Sequence, residues 1–318
     1  MAHPPPQSNR PPVGVAVVSY NTRELLHACL ASLHDCTLPL RVVVVDNASR
    51  DGSAALVREA FPTIELIAEA RNLGFAAATN VGLRKLMCDP AIEYLLLLNP
   101  DTIVHTGAIE ELAAFLDAHP RVGAAGPRLL NTDGTLQTAA FRFPTLAMTA
   151  IDLFPPGEVL PGRLYGSWWH GRYPQEGADE PFAIDHPLGA CILARRSAVE
   201  EVGLLDEGFF MYAEEVEWCF RMRRAGWAIW QVPAALVTHV GGAATSQFRA
   251  RMLVALWSSR MRFLGMAHSA PLVRAHRTLL RAGMLRLALI AWRDYVRGRI
   301  DTQELRARLW AYGEASRL

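Results

Sequence analysis

Several features that would decide the class of this chain at once are missing from it. No run of about 18 apolar residues occurs, so no segment reads as membrane-spanning. Cysteine is sparse: Cys29, Cys36, Cys88, Cys191 and Cys219 are an odd number with no C-x-x-C pair. That argues against zinc and against a disulfide framework, and suits a reducing cytosol. The N-terminus has no apolar core and reads as neither leader nor anchor, and Pro4-Pro5-Pro6 and Pro11-Pro12 make residues 1–12 read as disordered. No internal repeat is visible. The G-x-G-x-x-G fingerprint is absent after the first apolar run, which argues against a dinucleotide-dependent dehydrogenase.

What is present is ordinary in bulk and uneven in detail. At 318 residues, with 51% hydrophobic and 20% charged residues, the chain suits one large globular domain or a domain with an appendage. Net charge is +1, yet from Arg249 onward 14 arginines face only Asp294, Asp301, Glu304 and Glu314, so that segment carries +10. Such asymmetry points to an anionic surface, or to a helical appendage with a solvated basic face.

Two apolar runs end in aspartate. Leu95–Leu98 runs into Asn99-Pro100-Asp101, and Val42–Val45 into Asp46-Asn47. Runs this apolar read as strands buried on both faces. Ligands of open α/β sheets bind beyond the carboxyl ends of such strands. The pair suggests a site for a cation, or for a ligand arriving with one.

The pattern predicts strands at Val13–Ser19, Arg41–Asp46, Ile64–Ala68, Tyr94–Leu98 and Val122–Pro127. Helices are expected between them, at Thr22–His34, Ser53–Ala60, Gly74–Leu86 and Ala108–Ala118. This alternation means βαβ units and a mostly parallel sheet in an α/β fold. Arg142–Asp185 breaks the rhythm and reads as a long loop. Regular structure resumes at His186–Arg195, with helices at Ser197–Val202 and Glu214–Ala225, a last strand at Trp227–Val232, and Arg-rich helix from Phe248.

Four constellations could carry chemistry. Ser19-Tyr20-Asn21 and Asp46-Asn47-Ala48-Ser49 end neighbouring strands and could read a base edge and a ribose, or could simply make turns. Arg71-Asn72-Leu73-Gly74-Phe75, leading to Asn80, sets glycine and alanines at a loop-to-helix junction. There the backbone can approach an anion, or the helix can simply pack tightly. Asp101 is a candidate carboxylate for Mg2+ or Mn2+ held with substrate phosphates, and His239 gains interest only if it pairs with it. Glu214, Glu215 and Glu217 open a helix between aromatics, where one could act as a general base. Capping, and pairing with Arg221, Arg223 and Arg224, is the plainer account.

In order, Val17-Val18-Ser19-Tyr20-Asn21, Val45-Asp46-Asn47-Ala48-Ser49, Asn72-x-Gly74-Phe75-Ala76, Asn99-Pro100-Asp101, Gly189-Ala190, Phe210-Met211-Tyr212-x-Glu214-Glu215-Val216-Glu217 and His239 resemble the family 2 glycosyltransferases. The likeness is greatest to their bacterial rhamnosyltransferase branch and covers Val13 to Thr245. It implies a GT-A fold over 13–247. A nucleotide-binding half (13–127) would precede an acceptor-binding half (128–247), with a basic helical segment (248–318) appended. It also implies inverting transfer of a sugar, with L-rhamnose from dTDP-rhamnose the first choice. The acceptor would be a hydroxyl of a lipid-linked or glycan molecule; no nucleic acid partner is implied. By position, Asp46 would meet the nucleobase. Ser19, Tyr20, Asn21, Asn47, Arg71, Asn72, Gly74, Phe75, Asn80 and Asn99 would bind the donor. Asp101 would end a DxD-like metal motif with His239 as a further ligand, and Glu215 would be the base. Gly189, Ala190, Glu214 and Trp218 would face the acceptor.

The chain departs from the family pattern in three places. Asn99-Pro100-Asp101 keeps one carboxylate of the metal motif. Glu215 stands where aspartate is usual. Gln247-Phe248-Arg249-Ala250-Arg251 does not make the Q-x-x-R-W of processive synthases, so one sugar per binding event is expected. Two competing readings follow. A sugar nucleotidyltransferase would need a Gly-rich, Arg-containing loop where Ser19-Tyr20-Asn21-Thr22 stands, and a catalytically silent nucleotide-sugar binder is suggested by Glu215. In the basic segment, Leu272, His276, Leu279, Gly283, Leu287 and Ile290 recur at helical spacing beside Arg274, Arg277 and Arg281, with Trp292 and Tyr295 nearby. This reads as an interfacial helix on the cytoplasmic leaflet, or as a helical pair packing on the domain or on a second subunit.

Overall fold

The computed structural model describes residues 11–155, 167–241 and 249–318. Most of the expected N-terminal disorder, part of the expected loop and the Gln247-Phe248 dipeptide lie outside them.

The first half follows the expected rhythm. β1 (Val13–Ser19), α1 (Arg23–Ser32), β2 (Leu40–Asp46), α2 (Ser53–Ala60), β3 (Glu65–Ala68), α3 (Phe75–Met87) and β4 (Tyr94–Leu98) alternate without interruption. β3, β2, β1 and β4 lie side by side in parallel, and the register sets Ser19 next to Asp46. β1 and β4 are buried at every position because helices cover both faces. Val13, Val15 and Val17 join one core with Leu26, Cys29 and Leu112, while Ala16 and Val18 join the other with Leu83, Phe209 and Trp218.

Beyond β4 the sheet becomes mixed. β5 (Thr102–Val104), α4 (Ala108–Ala118), β6 (Val122–Leu130), β7 (Leu136–Gln137) and β8 (Ala140–Phe141) come next. After them come α5 (Leu146–Leu153), β9 (Phe182–Ile184), β10 (His186–Pro187), β11 (Cys191–Arg195), α6 (Arg196–Val202), α7 (Glu214–Arg224) and β12 (Ala228–His239). β11 inserts antiparallel between β4 and β6, β12 runs parallel to β6, and β5 returns antiparallel along the end of β12. The expected boundary at 127/128 falls inside β6, which belongs to the same continuous sheet.

Two expectations change. β12 continues seven residues past Val232, because a register shift between Val232 and Leu236 accommodates Pro233, which has no N–H to give the ladder. The segment expected as a loop contains α5 and β9, the latter paired with β12. It is pinned by the buried Glu176, which accepts the backbone N–H groups of Ala139 and Ala140.

The C-terminal segment is three helices, α8 (Arg249–Ala267), α9 (Ala270–Val296) and α10 (Thr302–Ser316), packed on the domain. Trp257, Met261, Phe263, Leu264, Leu280, Met284 and Ala315 join the core that holds Phe209 and Trp218. Ser259 Oγ donates to Met211 O at 2.7 Å, and Arg262 pairs with Asp206 at 2.8 Å. The row containing His276 and Gly283 is therefore a protein-facing one. His276 Nδ1 lies 3.0 Å from Thr149 Oγ1, and Gly283 abuts Leu153 so closely that a Cβ would fall 2.7 Å from its side chain. Burial pushes the His276 imidazole down to about 4 and keeps it neutral. Among the described residues no helix is long and apolar enough to cross a membrane.

Candidate active site

A cavity of about 840 Å3 opens beyond the carboxyl ends of β1, β2 and β4. Among the residues singled out from the sequence, Tyr20, Asn47, Asn72, Gly74, Phe75, Asn99, Asp101, Gly189, Ala190, Glu214, Glu215 and His239 line it. Four non-glycine residues with positive φ, namely Asn21, Ala48, Tyr212 and Ala213, stand on the chain reversals that feed it. Left-handed backbone is costly for such residues and persists only where the surroundings enforce it.

Asp101 and His239 meet because β5 pairs with β12, with Thr102 opposite His239 and Val240 N donating to Asp101 O at 2.9 Å. The Asp101 Oδ1 and His239 Nε2 are 3.4 Å apart, and both side chains are buried. On the other edge of the ring, His239 Nδ1 is 2.7 Å from Gln137 Oε1. An amide oxygen only accepts, so Nδ1 donates to it and Nε2 is the ring nitrogen that faces Asp101. The Gln137 amide is fixed in turn by donating to Asn131 Oδ1 at 2.9 Å and to His239 O at 3.2 Å. Gln137 carried no sequence signal: its partner lies 102 residues away. Among the described residues no group of three or more His, Cys, Asp or Glu could hold a metal ion. Asp101 and His239 are thus a two-donor set.

The acid pair opens α7. Tyr212 and Ala213, at φ of 68° and 61°, swing the chain so that Glu214 and Glu215 both enter the cavity wall. Burial is the main cause of a raised pKa in both, to about 7 for Glu215 and well above the ordinary value for Glu214, which Glu215 also repels. Each has one oxygen without a hydrogen-bond partner. Gly189 lies against Glu215 on the cavity wall, where a Cβ would stand 3.4 Å from Glu215 Cδ, in ordinary contact. Glu217 plays a different part. It grips Arg221 Nε at 2.7 and 2.9 Å, and that guanidinium ties down the carbonyls of Val202 and Leu204.

On the donor side, Gly74 has a φ of 85°, and a Cβ there would meet Phe210 O at 2.5 Å, so only glycine fits. Phe75 N donates to that same Phe210 oxygen at 2.7 Å, and Asn47 bonds Asn72, Leu73 and Gly74. Asp46 accepts Ser49 N at 3.1 Å, while its Oδ1 is buried without a partner.

Six of the residues singled out do not reach the cavity wall. Besides Asp46, Ser19 is fully buried against Thr22 Oγ1 at 3.1 Å. Asn21 staples two loops through Ser49 Oγ and Arg50 N, and Arg71 is exposed. Asn80 clamps Leu205 and Glu207, because its buried amide needs partners where α3 meets that loop. Trp218 is a core residue whose Nε1 donates to Gly203 O at 2.9 Å. Conversely, Arg251, Met252, Val254, Ala255 and Ser258 of α8 and Trp310 of α10 line the cavity, so the C-terminal segment is part of its wall. Helical spacing alone could not show which of their neighbours they would meet.

The overall shape has solved counterparts. A mannosyltransferase from Pyrobaculum calidifontis, solved with GDP-Man and Mn2+, superposes with a TM-score of 0.55 at 18% identity, covering 97% of this chain and 88% of that one. At that identity the likeness speaks for the fold, a GT-A architecture. Two curated relatives are closer in sequence. The N-acetylglucosaminyl-diphospho-decaprenol L-rhamnosyltransferase of Mycobacterium tuberculosis is 32% identical over 267 residues, 80% of this chain and 84% of that one. The dTDP-rhamnosyl transferase RfbF of Shigella flexneri is 23% identical over 231 residues, 71% and 68% of the two chains. The family model described as glycosyl transferase family 2 matches residues 14–203, from β1 to the glycine that ends α6. A match over more than half the chain, joined to that mycobacterial likeness, makes this protein a glycosyltransferase of family 2.

Proposed function

We propose that the protein transfers a single L-rhamnosyl group from dTDP-rhamnose to a hydroxyl of a lipid-linked or glycan acceptor, with inversion and with a divalent ion bound. The carrying observation is that Asp101, His239, Glu214 and Glu215, from three separate stretches of chain, line one cavity. The names of the two curated relatives favour rhamnose and its thymidine diphosphate donor.

A carboxylate oxygen of Asp101 and Nε2 of His239, whose ring Gln137 holds from the other edge, would hold Mg2+ or Mn2+ together with oxygens of the donor. Such an ion supplies positive charge where the leaving diphosphate gathers negative charge. The other roles fall to the protein itself. The buried, unpartnered Oδ1 of Asp46 lies behind the cavity wall and would serve the imide N–H of a thymine only if the base enters past Asn47, which with Asn72 shapes the adjoining loop. Glu215 accepts the acceptor's hydroxyl proton as the new C–O bond forms at the anomeric carbon. The electron pair of the old bond leaves with the diphosphate. Attack from the face opposite the diphosphate inverts that carbon. A proton kept by Glu214 limits the charge beside Glu215.

The test is release of dTDP from dTDP-rhamnose with and without Mn2+, in wild type, Asp101→Ala and Glu215→Gln. Turnover that needs the ion and fails in both variants is expected. Equal activity in Asp101→Ala, or indifference to chelation, would remove the metal from the mechanism. No turnover of any nucleotide sugar would leave a binding protein.

A further inference from the structure

Helix α9 is occupied on one side and bare on the other. His276, Leu280, Gly283, Met284 and Ala291 are buried, whereas Leu285, Leu289, Trp292 and Val296 are 63%, 64%, 55% and 70% exposed. Steps of four, three and four residues place these four in one row about 17 Å long. The same row continues toward the start of the helix through Arg281, Thr278 and Arg274, with Arg277 and Arg293 beside it, all exposed. Among the described residues Arg274, Arg277, Arg281 and Arg297 have no carboxylate partner. Four large apolar side chains in line, bordered by uncompensated cations, are not what a solvated helix face needs.

We infer that this row seats α9 in the headgroup layer of an anionic lipid bilayer, with Leu285, Leu289, Trp292 and Val296 dipping toward the acyl chains and the arginines on lipid phosphates. Tryptophan suits that layer because its ring is apolar and its N–H is polar. Guanidinium groups match phosphate geometry with paired hydrogen bonds. Charge selects the occupant. Residues 249–318 carry +10, so a second copy related by a two-fold axis would set like charges against each other. A row this short also falls far below the roughly 800 Å2 per partner that stable dimers bury. This attachment goes beyond the proposed sugar transfer, and no residue of the row lines the cavity.

Flotation of the full chain tests it, with vesicles of phosphatidylcholine and phosphatidylglycerol in equal parts against phosphatidylcholine alone. Binding to the anionic vesicles at low salt and its loss as salt rises are expected. The Leu289→Glu/Trp292→Glu variant should bind about tenfold more weakly or worse, with far-UV circular dichroism and donor hydrolysis unchanged. As a second measurement, brominated acyl chains should quench part of the tryptophan emission, and that part should vanish in Trp292→Phe. No flotation at low salt, undiminished binding of the double variant, or quenching unaltered in Trp292→Phe would each overturn the inference. So would a dimer in sedimentation velocity that the double variant dissolves. Donor hydrolysis measured without vesicles reads sugar transfer separately, so either idea can fail alone.

Discussion

His239 is held by Gln137, 102 residues earlier, through a 2.7 Å hydrogen bond at Nδ1, and this contact decides which ring nitrogen faces Asp101. Replacing Gln137 by leucine removes the acceptor and frees the tautomer. The variant should need about 10–100-fold more Mn2+ for half-maximal donor hydrolysis, while the rate at saturating metal recovers. A metal titration decides it: an unchanged midpoint means that the glutamine does not orient a ligand.

The transfer rate should climb with pH through about 7, because Glu215 must lose its proton before it can take one. Glu214 titrates with it, so the limb belongs to the pair. Glu215→Gln should lose ~10²–10⁴ in kcat and flatten the limb. A pH–rate profile that keeps the same limb in that variant would assign the base elsewhere.

The same carboxyl gives stability a pH dependence. The folded state keeps the Glu215 proton up to about 7, against an ordinary 4.5, so the fold binds more protons than the unfolded chain in that window. Stability then falls as pH rises from about 4.5 through 7. Glu215→Gln should therefore melt above wild type at pH 8 and level with it near pH 4, as read by calorimetry.

Gly74→Ala faces two penalties, a left-handed φ of 85° and a backbone oxygen 2.5 Å from the added methyl. A loss on the order of 3 kcal/mol is expected in urea unfolding. Since Phe210 lines the same cavity as Glu214 and Glu215, displacing it should lower transfer even where the protein is fully folded.

Arg221→Met would leave the buried Glu217 carboxylate without its 2.7 and 2.9 Å contacts and release the carbonyls of Val202 and Leu204. Loss on the order of 3 kcal/mol should follow, largely relieved by adding Glu217→Gln. A double-mutant cycle measures the coupling.

The strands that lead to Asp46 and Asp101 were legible because Val43–Val45 and Leu95–Leu98 are buried apolar runs and polar residues follow them abruptly. The pairing of Asp101 with His239 depends on β5, whose three residues carry no pattern of their own. Asn80 follows the Asn72–Ala76 motif and Trp218 follows the Phe210–Glu217 motif, yet their partners are backbone carbonyls inside the fold, which spacing cannot distinguish from a ligand. On α9 the apolar residues occupy both sides of the helix, so periodicity showed a face without showing which one the protein covers. Arg251 and Trp310 reach the cavity through tertiary docking alone.

The sheet supplies one wall of the cavity and a separate helical roof, with Met252, Ala255 and Trp310 on its underside, supplies another. Substitutions on that underside can remodel what enters without disturbing a single rung of the strand ladder.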